Sequence, residues 1–487
     1  MLVADEEQPL LRQITEDDAK HHQVILDFEP LDPEDPRNWS HGFKWFIVLL
    51  LASMAFTVTF TCIGIVPIAS RIVEDLEGHA SSSSSTSALL VTIWELGEAT
   101  GPLLNAPLSE VLGRAPVMHW CNIAFILFTM IAATSQSTRL FIAARMLTGM
   151  AVAANVLNPA IIGDMFESEK RGRAMSLIML APLIGGAVAP MIAGAIAQTM
   201  GWRQVMYIAA GLALLCEILF LTCFQETYKM AILRRRVKKI QQENGELEQA
   251  GVTSRRESAL KMWHSITRPF SILFGSSVLM LLSLFASIAY SYFYVMCISL
   301  PKVLEEQYRF APTQIGTAFL SMSFGSFLAV LCCNFGLDRI YVKLRGSDES
   351  AGKPEYRLPL AILGGFLLPV MTTSYGWIAE LRLPVPMLLV AAGLLDSSIL
   401  LIIIPLQAYM VDACGLYSAS AMTGVIVTRC LAGTFLPLTT APLAEQLGYG
   451  WGMTCLGGVS LVLATIPVAI LKDGHKWRQR SDFTKDA

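Results

Sequence analysis

At 487 residues, with 54% hydrophobic and only 15% charged side chains, a net charge of -3 and a mean hydropathy of +0.52, the chain departs from a soluble globular protein, which carries about 25% charged residues. Ten cysteines without CxxC or Cys/His spacing suggest neither a disulfide framework nor a zinc site. There is no GxxxxGK[ST] loop, GxSxG elbow or HExxH helix, so the expectation is an all-α polytopic membrane protein that is not an enzyme, with no metal, no cofactor and no nucleic-acid partner.

The first 36 residues hold eleven acids against two bases, Arg12 and Lys20. Residues 1–43 therefore read as a disordered acidic tail, since a signal peptide opens on a short basic region. A membrane-crossing helix needs about 20 mostly apolar residues. Seven uncharged runs qualify: Trp45 to Ser70, Ala115 to Thr138, Ala174 to Trp202, Pro269 to Pro301, Phe310 to Leu337, Leu358 to Ala379 and Gln446 to Leu471. Five more qualify if internal charges are tolerated: Ser87 to Leu108, Leu140 to Gly163, Gln204 to Gln225, Leu383 to Val411 and Ala413 to Thr440. Twelve spans result.

With both termini inside, cytoplasmic segments carry 26 Lys and Arg from Arg37 onward, and the outer loops six: Arg71, Arg139, Arg203, Lys302, Arg309 and Arg382. That asymmetry is the positive-inside pattern. Residues 44–225 form one six-helix bundle, 226–268 a cytoplasmic central loop, 269–471 a second bundle and 472–487 a cytoplasmic tail. The central loop opens TYKMAILRRRVKKI, with Leu233, Val237 and Ile240 on one helical face among bases, which suits either a helix on the anionic inner leaflet or a solvated linker. The halves echo each other: GWRQV opens span six and GWGMT span twelve, while LSEVLGR closes span two and LDRI span eight. Such internal repeats are expected of transporters with a substrate site between bundles.

Six stretches, LDPEDPRNWS, GPLLNAPLSEVLGR, RMLTGMAVAA, DMFESEKRGRAMS, APLIGGAVAPMIAG and YMVDACGLYSASA, together resemble a fungal major facilitator superfamily transporter of the twelve-span drug:proton antiporter kind. The resemblance implies two six-helix bundles around a central site. It also implies a conformational latch on the inner face at Glu110, Gly113 and Arg114, echoed by Asp338 and Arg339. Ala115 departs from the pattern, where relatives carry a second base. Span five keeps Gly185, Pro190 and Gly194 as a small-residue face for helix packing, with Gly186 and Ala189 departing from its antiporter motif. Arg145 matches the span-four arginine that the family associates with proton coupling.

Ionisable groups in the bilayer cost at least about 2.5–3.5 kcal/mol at its centre and call for a function. Glu95 and Glu98 share one face of span two and are candidate proton carriers beside Arg145, with an Arg145 pairing possible; Asp396 in span ten is a further candidate. Glu217 and Arg429 read less clearly. Tyr290, Phe293 and Tyr294 are candidates for substrate stacking or for an interfacial aromatic belt. The expected activity is export of hydrophobic or amphipathic small organic molecules, xenobiotics or secondary metabolites, with the proton as coupling ion. Alternatives are an uptake permease or facilitator for nutrients or polyamines, and a transport-inactive receptor. The expected setting is a monomer in the lipid bilayer of the plasma membrane, or of a vacuole or vesicle.

Overall fold

The computed structural model describes residues 28, 32–78, 84–243, 266–345, 353–415, 418–481 and 484. Of the tail expected to be disordered over 1–43, residues 1–27 and 29–31 lie outside them, whereas the short helix Pro36–Asn38 and the start of span one at His41 are ordered, against that expectation; of the central loop, 244–265 lie outside them. The regular structure of the described residues is all helical, with no strand among them.

Span one is His41–Ile63, which passes through the short turn Val66–Ile68 into Ala69–Glu77. The first half continues with span two (Ser84–Leu112), three (Arg114–Thr134), four (Thr138–Met150 and Ala154–Met165), five (Ser168–Thr199) and six (Trp202–Cys223). A central helix follows over Lys229–Glu243. The second half has a helix over 266–275 and then span seven (Ser277–Glu306), eight (Pro312–Ala318 and Leu320–Arg345) and nine (Pro359–Glu380). Span ten (Val385–Cys414) and eleven (Ser418–Phe435) follow; the helical stretch Thr440–Leu463 is broken at Gly448, and span twelve runs from that break, continuing over Thr465–Arg478.

Ten of these helices are long and apolar enough to cross a membrane. The two that fall short are informative. Span two is a continuous 29-residue helix whose apolar character is diluted by Glu95 and Glu98. Span four is split at Ala151 to Ala153 into pieces of 13 and 12 residues. Prolines inside the spans, Pro102, Pro107, Pro182, Pro190 and Pro405 among them, are tolerated because neighbouring helices and polar side chains re-satisfy the freed backbone. Large apolar side chains such as Trp120, Phe324 and Val462 stay exposed, as lipid-facing residues do.

Spans one, five and six pack together, as do two, three and four; in the second half eight, nine and ten pack together, seven packs on eleven, and twelve packs on nine. Between the halves, span two packs on eleven and span five on eight. If each span corresponds to the one six later, these two contacts exchange, so the interface carries the repeat. The GW echo is offset by one turn element: Gly201 (φ 94°) breaks the chain before span six, but the equivalent break before span twelve falls at Gly448 (φ 76°), not at Gly450.

On the expected inner face, Asp32 and Glu34 of the segment before span one both grip Arg236 of the central helix, at 2.8 Å each. The hydrogen bond from Arg236 holds the Asp32 carboxyl below its ordinary range. Its contribution is therefore complete above the usual carboxylate pKa of about 4 and fades only in stronger acid. The central helix is docked rather than free, with Ala231 and Leu233 buried.

Candidate functional site

The carboxylates of span two, in the expected outer half of the Ser84–Leu112 helix by sequence position, down to its midpoint, meet the second half. Glu95 is 1% exposed, and its Oε1 accepts a hydrogen bond from the Tyr294 hydroxyl of span seven at 2.6 Å, while its Oε2 is sealed in without a partner. Glu98, one turn on, accepts from the Trp94 indole at 3.0 Å and faces the Arg429 guanidinium of span eleven at 3.9 Å. That guanidinium lies over the Tyr290 ring, 4.2 Å from its centroid. Two acids, one guanidinium and two phenols thus join three spans across the seam between the halves.

Arg145 is 1% exposed, and the pairing with Glu95 or Glu98 that the sequence left possible is not made. Its Nη1 and Nη2 donate to the carbonyls of Thr61 (2.9 Å) and Cys62 (3.2 Å), and its guanidinium lies 4.6 Å from the Trp94 centroid. The reason is local. Span one ends at Ile63, which frees the last carbonyls of that helix at the height of Arg145. Trp94 therefore touches both elements, with its ring under Arg145 and its N–H on Glu98.

The aromatic residues lie near the middle of the Ser277–Glu306 helix. Tyr290 and Phe293 stack with centroids 6.1 Å apart, and Tyr294 meets both edge-on. Arg429, Trp94 and Cys430 belong to the site as well, and the only signal for Arg429 in the sequence was its charge within a span. Ligand atoms of Glu95, Glu98 and Cys430 lie within 4.8 Å of one another, a spacing that admits a cation. The adjacent guanidinium already supplies the positive charge that a metal would bring.

Asp396 stands apart. It is 3% exposed in span ten and accepts a hydrogen bond from Ser326 of span eight. Glu217 is a satisfied structural acid, accepting from Asn122 and His119 of span three at 2.7 Å each.

At the hairpin between spans two and three, Arg114 contacts Asp164 at the end of span four (3.4 Å), Ser109 (2.6 Å) and the Tyr228 ring (4.7 Å). Glu110 is exposed and takes part in none of the described ion pairs. The acid that matters is Glu226, just after span six, whose carboxylate accepts from the Arg114 and Ala115 backbone N–H groups at 2.8 and 3.3 Å, the usual service of an acid at a helix N-terminus. Gly113 has φ 104°, and a Cβ there would lie 2.2 Å from that carboxylate. In the second half the counterpart of Arg114 is Arg357, bridging Asp338 (2.6 Å) and Asp412 (2.9 Å); Arg339 rests near Phe335 and makes none of the described ion pairs. The contacts described here brace each half internally. Arg114→Ala should accordingly lower the thermal midpoint of the purified protein by several degrees while leaving cysteine accessibility between the halves unchanged, and a changed accessibility pattern would instead make this network a latch.

The packing glycines divide. Gly185 lies against Thr59 of span one, where a Cβ would sit 3.0 Å away. Gly194 lies against the Pro312 carbonyl of span eight, 2.3 Å from an ideal Cβ, and Gly316 of span eight meets the Pro190 carbonyl at 2.2 Å. The two glycines let backbones touch across the seam. Nearby, Thr313 donates to Gln198 at 2.7 Å and Glu305 sits 3.8 Å from Arg71. Below Arg429, the space lined by Leu406, Gln407, Met410, Met422 and Ile426 measures about 20 Å³, room for roughly one water.

A family model described as Major Facilitator Superfamily matches residues 45–437. Among curated relatives, an MFS transporter, cpaT, of Aspergillus oryzae is 31% identical, over 93% of this chain and 91% of its own. An efflux pump, radE, of Floropilus chiversii is 30% identical, over 94% and 86%. Among solved structures, a D-xylose-proton symporter superposes with a TM-score of 0.67 at 14% identity, covering 87% of this chain and 97% of its own.

Proposed function

The chain belongs to the Major Facilitator Superfamily, and from that premise we propose that it exports hydrophobic or amphipathic small organic molecules in exchange for protons. The observation that carries the coupling is the Glu95 carboxylate, buried at the seam and hydrogen-bonded by Tyr294 of the opposite half. An ionised carboxylate there is costly unless compensated, and its Oε2 has no donor. A proton on Oε2 removes that cost and suits the closed seam. When the halves part, Tyr294 and Arg429 leave with the second half and the acids meet water, which favours their ionised form. Proton occupancy is thereby tied to which face is open, the requirement for coupling.

Under the both-termini-inside orientation the closed seam lies toward the outer face, so its opening would expose the acids to the outer solution, whose pH then sets how many protons they carry back when the seam closes. The space beneath Arg429 holds about one water, so an organic molecule enters only when the halves separate on the inner side. The efflux-pump relative supports the export direction, and the plasma membrane is the proposed site of action. The test is flux of labelled amphipathic compounds in proteoliposomes with and without an imposed pH gradient. Gradient-stimulated uphill movement is expected, and flux indifferent to the gradient would make the protein a facilitator.

A further inference from the structure

We propose that Asp396 is a second proton-binding site, carried within the second half and filled independently of Glu95. The argument starts from two matching helix crossings. Spans two and four touch at Gly97 and Gly149, where a Cβ would lie 2.0 Å from the Met146 carbonyl and 2.3 Å from the Trp94 carbonyl. Spans eight and ten touch at Gly325 and Gly393, where a Cβ would lie 1.9 Å from the Gly393 carbonyl and 2.6 Å from the Ser321 carbonyl. Only glycine permits such approach. Each crossing then places a carboxyl in the bilayer: Glu98 follows Gly97, and Asp396 lies a turn beyond Gly393, on Ser326, which follows Gly325.

The two carboxyls are solvated differently. Glu95 and Glu98 face a guanidinium and a phenol from the other half, whereas Asp396 faces only its own half. Ser326 of span eight is its hydrogen-bond donor, Cys297 of span seven its titratable neighbour, and none of the described ion pairs includes it. One neutral hydroxyl compensates a small part of the cost of a buried carboxylate, so contact between spans eight and ten favours uptake of a proton by the acid. Span eight also forms the seam with span five through Gly316. Separation of the halves therefore acts directly on the helix that carries Ser326, and a loosened crossing admits water and lets the proton leave.

Counting protons without any substrate tests this. Purified full-length protein in weakly buffered detergent is taken from about pH 8 to about pH 5, and uptake is read with an indicator dye. Asp396→Asn should bind about one proton fewer than wild type and lose one protonated-carboxyl band from the infrared difference spectrum. Ser326→Ala keeps the carboxyl but removes the donor that favours its charged form, so the proton count should stay and the Asp396 band should titrate at higher pH. An unchanged count and spectrum in Asp396→Asn, or an unmoved band in Ser326→Ala, would overturn the proposal. Glu95→Gln separates this inference from the coupling scheme above. If Glu95→Gln loses a proton and Asp396→Asn does not, the coupling scheme stands and this proposal falls; the reverse pattern leaves Asp396 as the proton site and removes Glu95.

Discussion

Glu95→Gln should abolish uphill export driven by a pH gradient while leaving binding and one-for-one exchange of substrate near wild type. Gln keeps the size of Glu and can still accept from Tyr294, so the seam should close as before. It cannot alternate between charged and neutral, so the gradient has no group through which to bias the two access states. With one proton per substrate molecule, a one-unit gradient sustains about a tenfold concentration ratio. The variant should bring that ratio to about one. Glu98→Gln should be milder, because Glu98 is held by the Trp94 indole and lies 3.9 Å from Arg429, and because Glu95 remains. Gradient-driven accumulation of wild-type size in Glu95→Gln, measured at a clamped membrane potential, would remove Glu95 from the coupling scheme.

Much of this was legible in the sequence, for identifiable reasons. The twelve spans are written as hydropathy, and an acid inside a span is conspicuous because lipid penalises it; Glu95, Glu98 and Asp396 could all be picked out on that ground. What the sequence could not say is which cation meets which acid. Arg145 and Arg429 are equally charged and equally within spans, but span one ends beside Arg145 and offers it the Thr61 and Cys62 carbonyls, which leaves Arg429 to face Glu98. The hairpin shows the same limit. Glu110 lies four residues from Arg114 in the sequence, yet the acid that caps the start of span three is Glu226, brought in by the end of span six. The LDRI echo led to Arg339, whereas the cation with the role of Arg114 is Arg357, which stands outside that motif just before the start of span nine. Pairings between helices depend on which faces converge, and periodicity within one helix does not contain that information.

The seam itself gives the other large effect. Gly194→Val should hold the two halves apart toward the outer face and reduce flux at least tenfold. An ideal Cβ on Gly194 lies 2.3 Å from the Pro312 carbonyl oxygen and 2.9 Å from its carbon. Both are backbone atoms, so no rotamer change relieves the clash and span eight must retreat from span five. Overpacking of this kind costs about 1–3 kcal/mol where the backbone can give. Here the relief is separation of the halves, so the cost becomes a shift of roughly tenfold to a hundredfold in the balance between closed and open seams. Gly186→Val serves as the control, because it lies on the same helix and a Cβ there meets nothing within 4 Å. The readout is labelling of the buried Cys62 and Cys297 by an impermeant maleimide, with the exposed Cys332 and Cys455 replaced by Ala. Labelling should rise sharply in Gly194→Val and stay at the wild-type level in Gly186→Val. Equal labelling in the two variants, with normal flux in both, would mean that the contact between spans five and eight does not close the seam, and the switch would then have to rest on the contact of span two with span eleven alone.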